Sequence, residues 1–188
     1  MPSFHYDLAF LKAGIPELQA YLLSQEIYWP LSLVPPSGER PYPKMTLGWL
    51  ILSLTRAEGW PSRTTTSDLL ALRQQYQATR AQWRLAWQKK ATQEFSARLK
   101  LWTHYLNEYR DDKINAHQYA YESQRRVLLT LLLSESTPPT PAEMELLQGM
   151  DKFLQAVLKP GPFLWEPELS AAFPPEPYWY LYGTLPDK

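Results

Sequence analysis

The middle of the chain carries apolar residues at helical spacing. Leu69, Leu72, Tyr76, Trp83, Trp87, Ala91, Phe95, Leu99, Trp102, Leu106 and Tyr109 follow one another at steps of three, four or seven. Residues 62–137 contain neither Pro nor Gly, in a chain otherwise crowded with proline. Both facts predict uninterrupted helix over about residues 66–110. Between Trp83 and Leu99 every step is four. A heptad seam would alternate threes and fours, so the stripe drifts round the helix and its two halves are expected to meet different partners. The polar run 111–115 (Asp-Asp-Lys-Ile-Asn) is the natural place to turn. A second helix over about residues 114–134 would then close an antiparallel helical hairpin, with Tyr121, Leu128 and Leu132 on one side.

The flanks read as shorter helices. Residues 7–14 open with Asp7 as a candidate cap and end at Gly14. Pro16 suits the first turn of a second helix that puts Leu18, Tyr21 and Leu22 on one face. Residues 46–58 are apolar enough for a buried helix, stopped by Gly59 and Pro61. Thr65 and Asp68 stand at capping-box spacing before the long helix, and Thr140-Pro141-Ala142-Glu143 repeats that signal more completely before a helix ending near Pro160. A helix over 66–110 would span roughly 68 Å, and the two later helices together roughly 60 Å. The later pair is therefore expected to lie end to end along the long one. The fold class predicted is all-α in a single domain: N-terminal helices and loop (1–61), long hairpin (62–137), capped helix (138–160) and a Pro/aromatic tail (161–188). The tail is expected to wrap the surface. Its segment 178–184 has strand-like composition, and residues 27–33, which share a Tyr-Trp dipeptide with it, are the candidate pairing partner.

Composition narrows the chemistry. Cysteine is absent, which removes disulfides, thiolate nucleophiles and Cys-ligated zinc from this sequence. The three histidines His5, His104 and His117 share no metal-ligand spacing, and no phosphate-binding glycine loop is present. The first residues lack the basic and apolar regions of a signal peptide, and the longest apolar run (127–133) is too short to span a bilayer, so the expectation is a cytoplasmic protein without membrane partners. Net formal charge is zero, yet its distribution is uneven. Residues 71–134 hold 11 basic against 5 acidic side chains, and residues 135–188 hold 3 against 8. A basic middle can bind nucleic acid, or the acidic tail can pack against it.

The function expected is a non-enzymatic helical interaction or scaffold protein, without cofactor, metal or catalytic residues. It would self-associate through its long amphipathic helices or meet a helical protein partner. The alternative is a nucleic-acid-associated protein. Arg73, Arg80, Arg84 and Arg98 project within about 20° of one line at the ideal helical twist, beside Trp83 and Trp87. Guanidinium and indole together suit phosphate contact with base stacking. They suit internal cation–π packing as well, and near-neutral charge favours the latter.

Overall fold

The computed structural model describes residues 3–60, 66–112 and 115–187. The chain is all-α, as its pattern predicts, with one two-residue strand pair in the tail. Helix α1 (Phe4–Gly14) is capped by Ser3, whose hydroxyl accepts from the Tyr6 N–H. Asp7 is therefore not the cap: it lies one turn inside the helix and is fully buried. A 3-10 turn (Ile15–Glu17) carries Pro16 and leads into α2 (Leu18–Leu23). Helix α3 (Leu47–Gly59) starts at Thr46, which accepts from the Trp49 N–H. It packs against α1 on one side and against the hairpin on the other.

The long helix is interrupted. Helix α4 (Ser67–Gln82) and helix α5 (Arg84–Asp112) meet at Trp83, whose φ of −110° and ψ of 34° leave the helical region. No breaker residue marks the spot. Packing explains it. A globule of this chain length is roughly 40 Å across, and α5 alone spans about 43 Å. A straight continuation would carry α4 beyond the body, whereas the break lets Leu69, Leu72 and Tyr76 join the core. Tyr76 then meets Trp87 edge to face, with ring centroids 5.1 Å apart. Thr66 caps α4 by accepting from the Leu69 N–H; Thr65 lies outside the described residues.

The predicted turn is where the pattern placed it. Asn115 adopts the left-handed conformation (φ 66°), which asparagine tolerates better than most residues. A 3-10 turn (Ala116–Gln118) then starts α6 (Tyr119–Leu133). This helix runs antiparallel to α5. Tyr105 Oη donates to the Asn115 carbonyl at one end, and Trp87 Nε1 donates to Glu135 at the other. Helix α7 (Pro141–Val157) has the predicted capping box, with the Thr140 hydroxyl and the Glu143 carboxylate bonded reciprocally. It does not extend α6 end to end. It doubles back beside both helices: Glu143 accepts from Ser96 of α5, Phe153 meets Tyr109 of α5, and Asp151 pairs with Arg126 of α6. One hairpin partner already covers most of α5, so the next helix takes the free flank.

The tail pairs, but with a different segment from the one expected. Strand β1 (Lys159–Pro160) and strand β2 (Gly183–Thr184) run antiparallel, with Lys159 opposite Thr184. Gly183 has no space for a side chain, since a Cβ there would stand 2.6 Å from the Lys159 carbonyl oxygen. In the 27–33 segment, Trp29 bridges Met45 instead. Nor does the tail merely wrap the surface. Trp165, Phe173, Tyr178 and Tyr180 are buried and form a chain of edge-to-face rings. Tyr180 locks this layer to α6: its hydroxyl meets Thr130 at 2.7 Å, and its carbonyl accepts from Tyr119 at 2.6 Å. A short 3-10 turn (Pro167–Leu169) lies between Trp165 and Phe173, and a one-turn α8 (Pro175–Tyr178) and a final 3-10 turn (Trp179–Leu181) carry Tyr178 and Tyr180.

Charged groups inside this core are answered by opposite charges or hydrogen bonds, some within one helix and some between helices. Glu94 of α5 is fully buried and reaches the start of α3, accepting from Thr46 Oγ1 at 2.6 Å and from the Gly48 N–H at 2.8 Å. Arg98, one turn on, balances its charge at 3.1 Å. Gly48 is required there, because a Cβ would come within 2.8 Å of the same carboxylate. Glu94→Ala leaves Arg98 buried without its acid and the Gly48 N–H without an acceptor. The expected loss is about 3 kcal/mol or more, read as a lowered denaturation midpoint in urea.

Glu122 of α6 is the opposite case. Arg125 Nη1 lies 2.6 Å from its Oε2, yet the alignment makes no hydrogen bond to that buried oxygen. Burial raises the Glu122 pKa, while Arg125 opposes the shift. The folded state then holds its proton more tightly than the unfolded chain. Stability from this group is full below the ordinary glutamate range and falls as pH rises through the raised value. Glu122→Gln removes that loss. It is expected to stabilise the fold at pH 7 by up to about 1 kcal/mol, a Tm rise of roughly 2–4 °C, and to have no effect near pH 3. Calorimetric scans at the two pH values check both halves.

Candidate functional site

Each helix around the best-formed cavity contributes residues one turn apart. Helix α1 presents Tyr6 and Phe10, α3 presents Trp49, Ser53 and Arg56, and α6 presents Tyr121 and Gln124. Spacings of three and four put these side chains on one face of each helix. The fourth wall is the proline-rich loop, through Arg40, Pro41, Tyr42 and Pro43. The cavity is partly open to solvent and holds about 230 Å³.

The loop wall is fixed to the helices. The Tyr6 hydroxyl donates to the Pro41 carbonyl at 3.1 Å. Tyr42 meets Tyr6 and Phe10 edge-on, at centroid distances of 5.6 and 5.5 Å. Arg40 lies over the Tyr6 ring, 5.4 Å from its centroid. Burial raises the Tyr6 pKa and the Arg40 charge opposes the shift, so the phenol stays a neutral donor. Tyr121 stands at the mouth and is 63% exposed.

Behind the aromatic walls lies a buried ion pair. Arg56 Nε donates to Asp7 Oδ2 at 3.0 Å and Nη2 donates to Oδ1 at 2.6 Å, the two-pronged geometry in which guanidinium and carboxylate fit best. Ser53 also bonds this carboxylate. Burial raises the Asp7 pKa and Arg56 opposes the rise. The pair takes Nε and Nη2 of the guanidinium, so Nη1 is the nitrogen outside it on a side chain that lines the cavity.

The arginines singled out from the sequence do not form one stripe. The helix break at Trp83 separates Arg73 and Arg80 from Arg84 and Arg98. Arg73 pairs with Glu58 at 3.3 Å. Arg80 pairs with Glu135 at 2.7 Å and lies over the Trp87 ring, 5.9 Å from its centroid. Trp87 is buried and bonded to the same Glu135. Trp83 is half-buried, and its indole nitrogen is enclosed without a hydrogen-bond acceptor among the described residues. Arg98 is buried against Glu94. Arg84 alone of the four is exposed with no ion pair among the described residues. Acidic groups of the last third thus answer the basic middle: Glu135 meets Arg80 and Asp151 meets Arg126. Among the described residues no group of His, Asp and Glu is arranged to hold a metal ion.

Comparison with protein-family models, with curated proteins and with solved structures found no match. The reading of the site therefore stands on its geometry.

Sequence reasoning passed over this cavity. Tyr6, Phe10 and Trp49 look like ordinary core positions, and the Pro-Tyr-Pro segment looks like a plain loop. One signal was present: Arg56 is a charge inside the apolar face of α3, and a charge placed there must find a counter-charge. Asp7→Ala would strand Arg56 without one. The expected cost is about 3–5 kcal/mol, far above the loss of a helix cap, and a urea titration separates the two.

Proposed function

We propose that this chain is a non-enzymatic recognition protein whose binding site is the cavity between α1, α3, α6 and the loop at Arg40–Pro43. The supporting observation is the combination found there: several aromatic walls around a guanidinium already held in place by a buried acid. Apolar walls with a few placed polar groups are what ligand sites share. The loop adds preorganisation, since its bonds and ring contacts exist before any ligand arrives.

This keeps the interaction-protein class and moves its site. Self-association through the long helices was motivated by an apolar stripe in need of cover. Trp87, Phe95, Leu99, Trp102, Leu106 and Tyr109 are buried by the chain's own helices, so the stripe no longer calls for a second copy. The nucleic-acid alternative rests on Arg84 alone for an unpaired guanidinium, because Arg73, Arg80 and Arg98 have acidic partners. No helix among the described residues is long and apolar enough to cross a membrane.

Ligand-observed NMR with a set of one- and two-ring aromatic compounds, neutral, cationic and anionic, tests the proposal. Compounds are expected to bind the wild-type chain and to lose contact when Gln124→Trp, at a lining position, fills the cavity. Silence from every class, or binding indifferent to Gln124→Trp, would remove the cavity as the site.

A further inference from the structure

The charge and size of this cavity narrow the ligand further. Arg40 and Arg56 line it and no carboxylate does; Asp7 lies behind the wall and balances Arg56. Glu39 stands beside Tyr42 and Glu166 near Asp7, both outside the lining, so it is the two guanidiniums in the walls themselves that suit an anion. A cation is disfavoured, because Arg40 already occupies a face of Tyr6, the kind of surface a quaternary ammonium would need. Arg56 keeps Nη1 outside its pair with Asp7, a donor on a side chain that lines the cavity. Volume sets the scale: about 230 Å³ is the room of roughly eight waters. That is below the range of drug-sized ligands, and it matches one flat ring with a short acidic arm. Tyr42, Phe10 and Trp49 supply faces and edges for the ring.

We infer that the cavity binds an aryl carboxylate, the ring against Tyr42 and Trp49 and the carboxylate at Arg56 and Arg40. This rests on the cavity being the recognition site. The chemistry has two sources, a free aromatic acid and the C-terminal aromatic residue of a peptide, and both present a ring within a few bonds of a carboxylate. Guanidinium binds either through paired N–H donors.

Isothermal titration with indole-3-acetate, its primary amide and tryptamine measures the charge preference on one ring. A tripeptide ending in Phe, with its C-terminus free or amidated, measures the second source. The acid, the free peptide or both are expected to bind at one site per chain, at least tenfold tighter than the matching amide. Tryptamine is expected to bind more weakly than either. Raising NaCl from 50 to 500 mM should weaken the acid and leave the amide unchanged. Arg40→Gln, on an exposed side chain, is expected to cost the acid about tenfold and the amide nothing. Asp7→Asn with Arg56→Gln, which keeps the buried pair neutral, should erase the remaining preference; if that double variant does not fold, Arg40→Gln and the salt series decide. Acid and amide within twofold of each other, or tryptamine tightest, at a site that Gln124→Trp blocks, would overturn the aryl carboxylate and leave the recognition site intact. No compound of any charge at that site would overturn both.

Discussion

A carboxylate on the inward face of the longest helix fixes where the helices of this fold cross. Glu94 stands where α5 crosses the start of α3, and it answers the unpaired N–H groups that every helix exposes at its first turn. A negative charge there also opposes the positive end of the α3 dipole. Thr46 serves two helices at once, capping α3 and donating to Glu94. Since α3 forms a wall of the cavity and carries Arg56, this junction places the helix and Asp7 then fixes the guanidinium.

The same device recurs. Asp7–Arg56 joins α1 to α3, Glu94 joins α5 to α3, and Arg126–Asp151 joins α6 to α7. Pairs of this kind contribute little net stability, because each charge loses its water. What they fix is register. An apolar face slides over another at small cost, but a two-pronged bond between Arg126 and Asp151 exists at one offset only. An all-helical core with many large aromatics has several ways to pack, and three such links select among them. Aromatic hydroxyls act in parallel, as Tyr119 and Tyr180 do between α6 and the tail.

Much of the scaffold was legible in the sequence, and the losses have physical causes. Periodicity placed α5, α6 and α7, the length of an apolar run placed α3, and the cap at Thr140 was readable because it depends on four adjacent residues. The break at Trp83 was not, because it answers to the width of the body rather than to any local preference. The swing of the stripe did foreshadow it: α4 meets α1 and α2, and α5 meets α6 and α7. Asp7 was misread as a cap because a cap and a buried acid look alike until the partner is known, and Arg56 stands far along the chain. The strand partner of 183–184 failed for a related reason, since shared dipeptides say nothing about distance in space. The cavity showed in the sequence only through the charge of Arg56 inside an apolar helix face. It is made of four segments, each unremarkable alone, whose convergence only the tertiary structure supplies.

The loop at Arg40–Pro43 has one more consequence. Two of its residues are prolines, so their backbones offer no N–H, and Tyr42 between them is held at the ring angles of its neighbours. A wall built this way has little motion to surrender when something enters. Selectivity would then come from the shape and charge of the opening, as with a lock cut in advance, rather than from the chain rearranging round its guest.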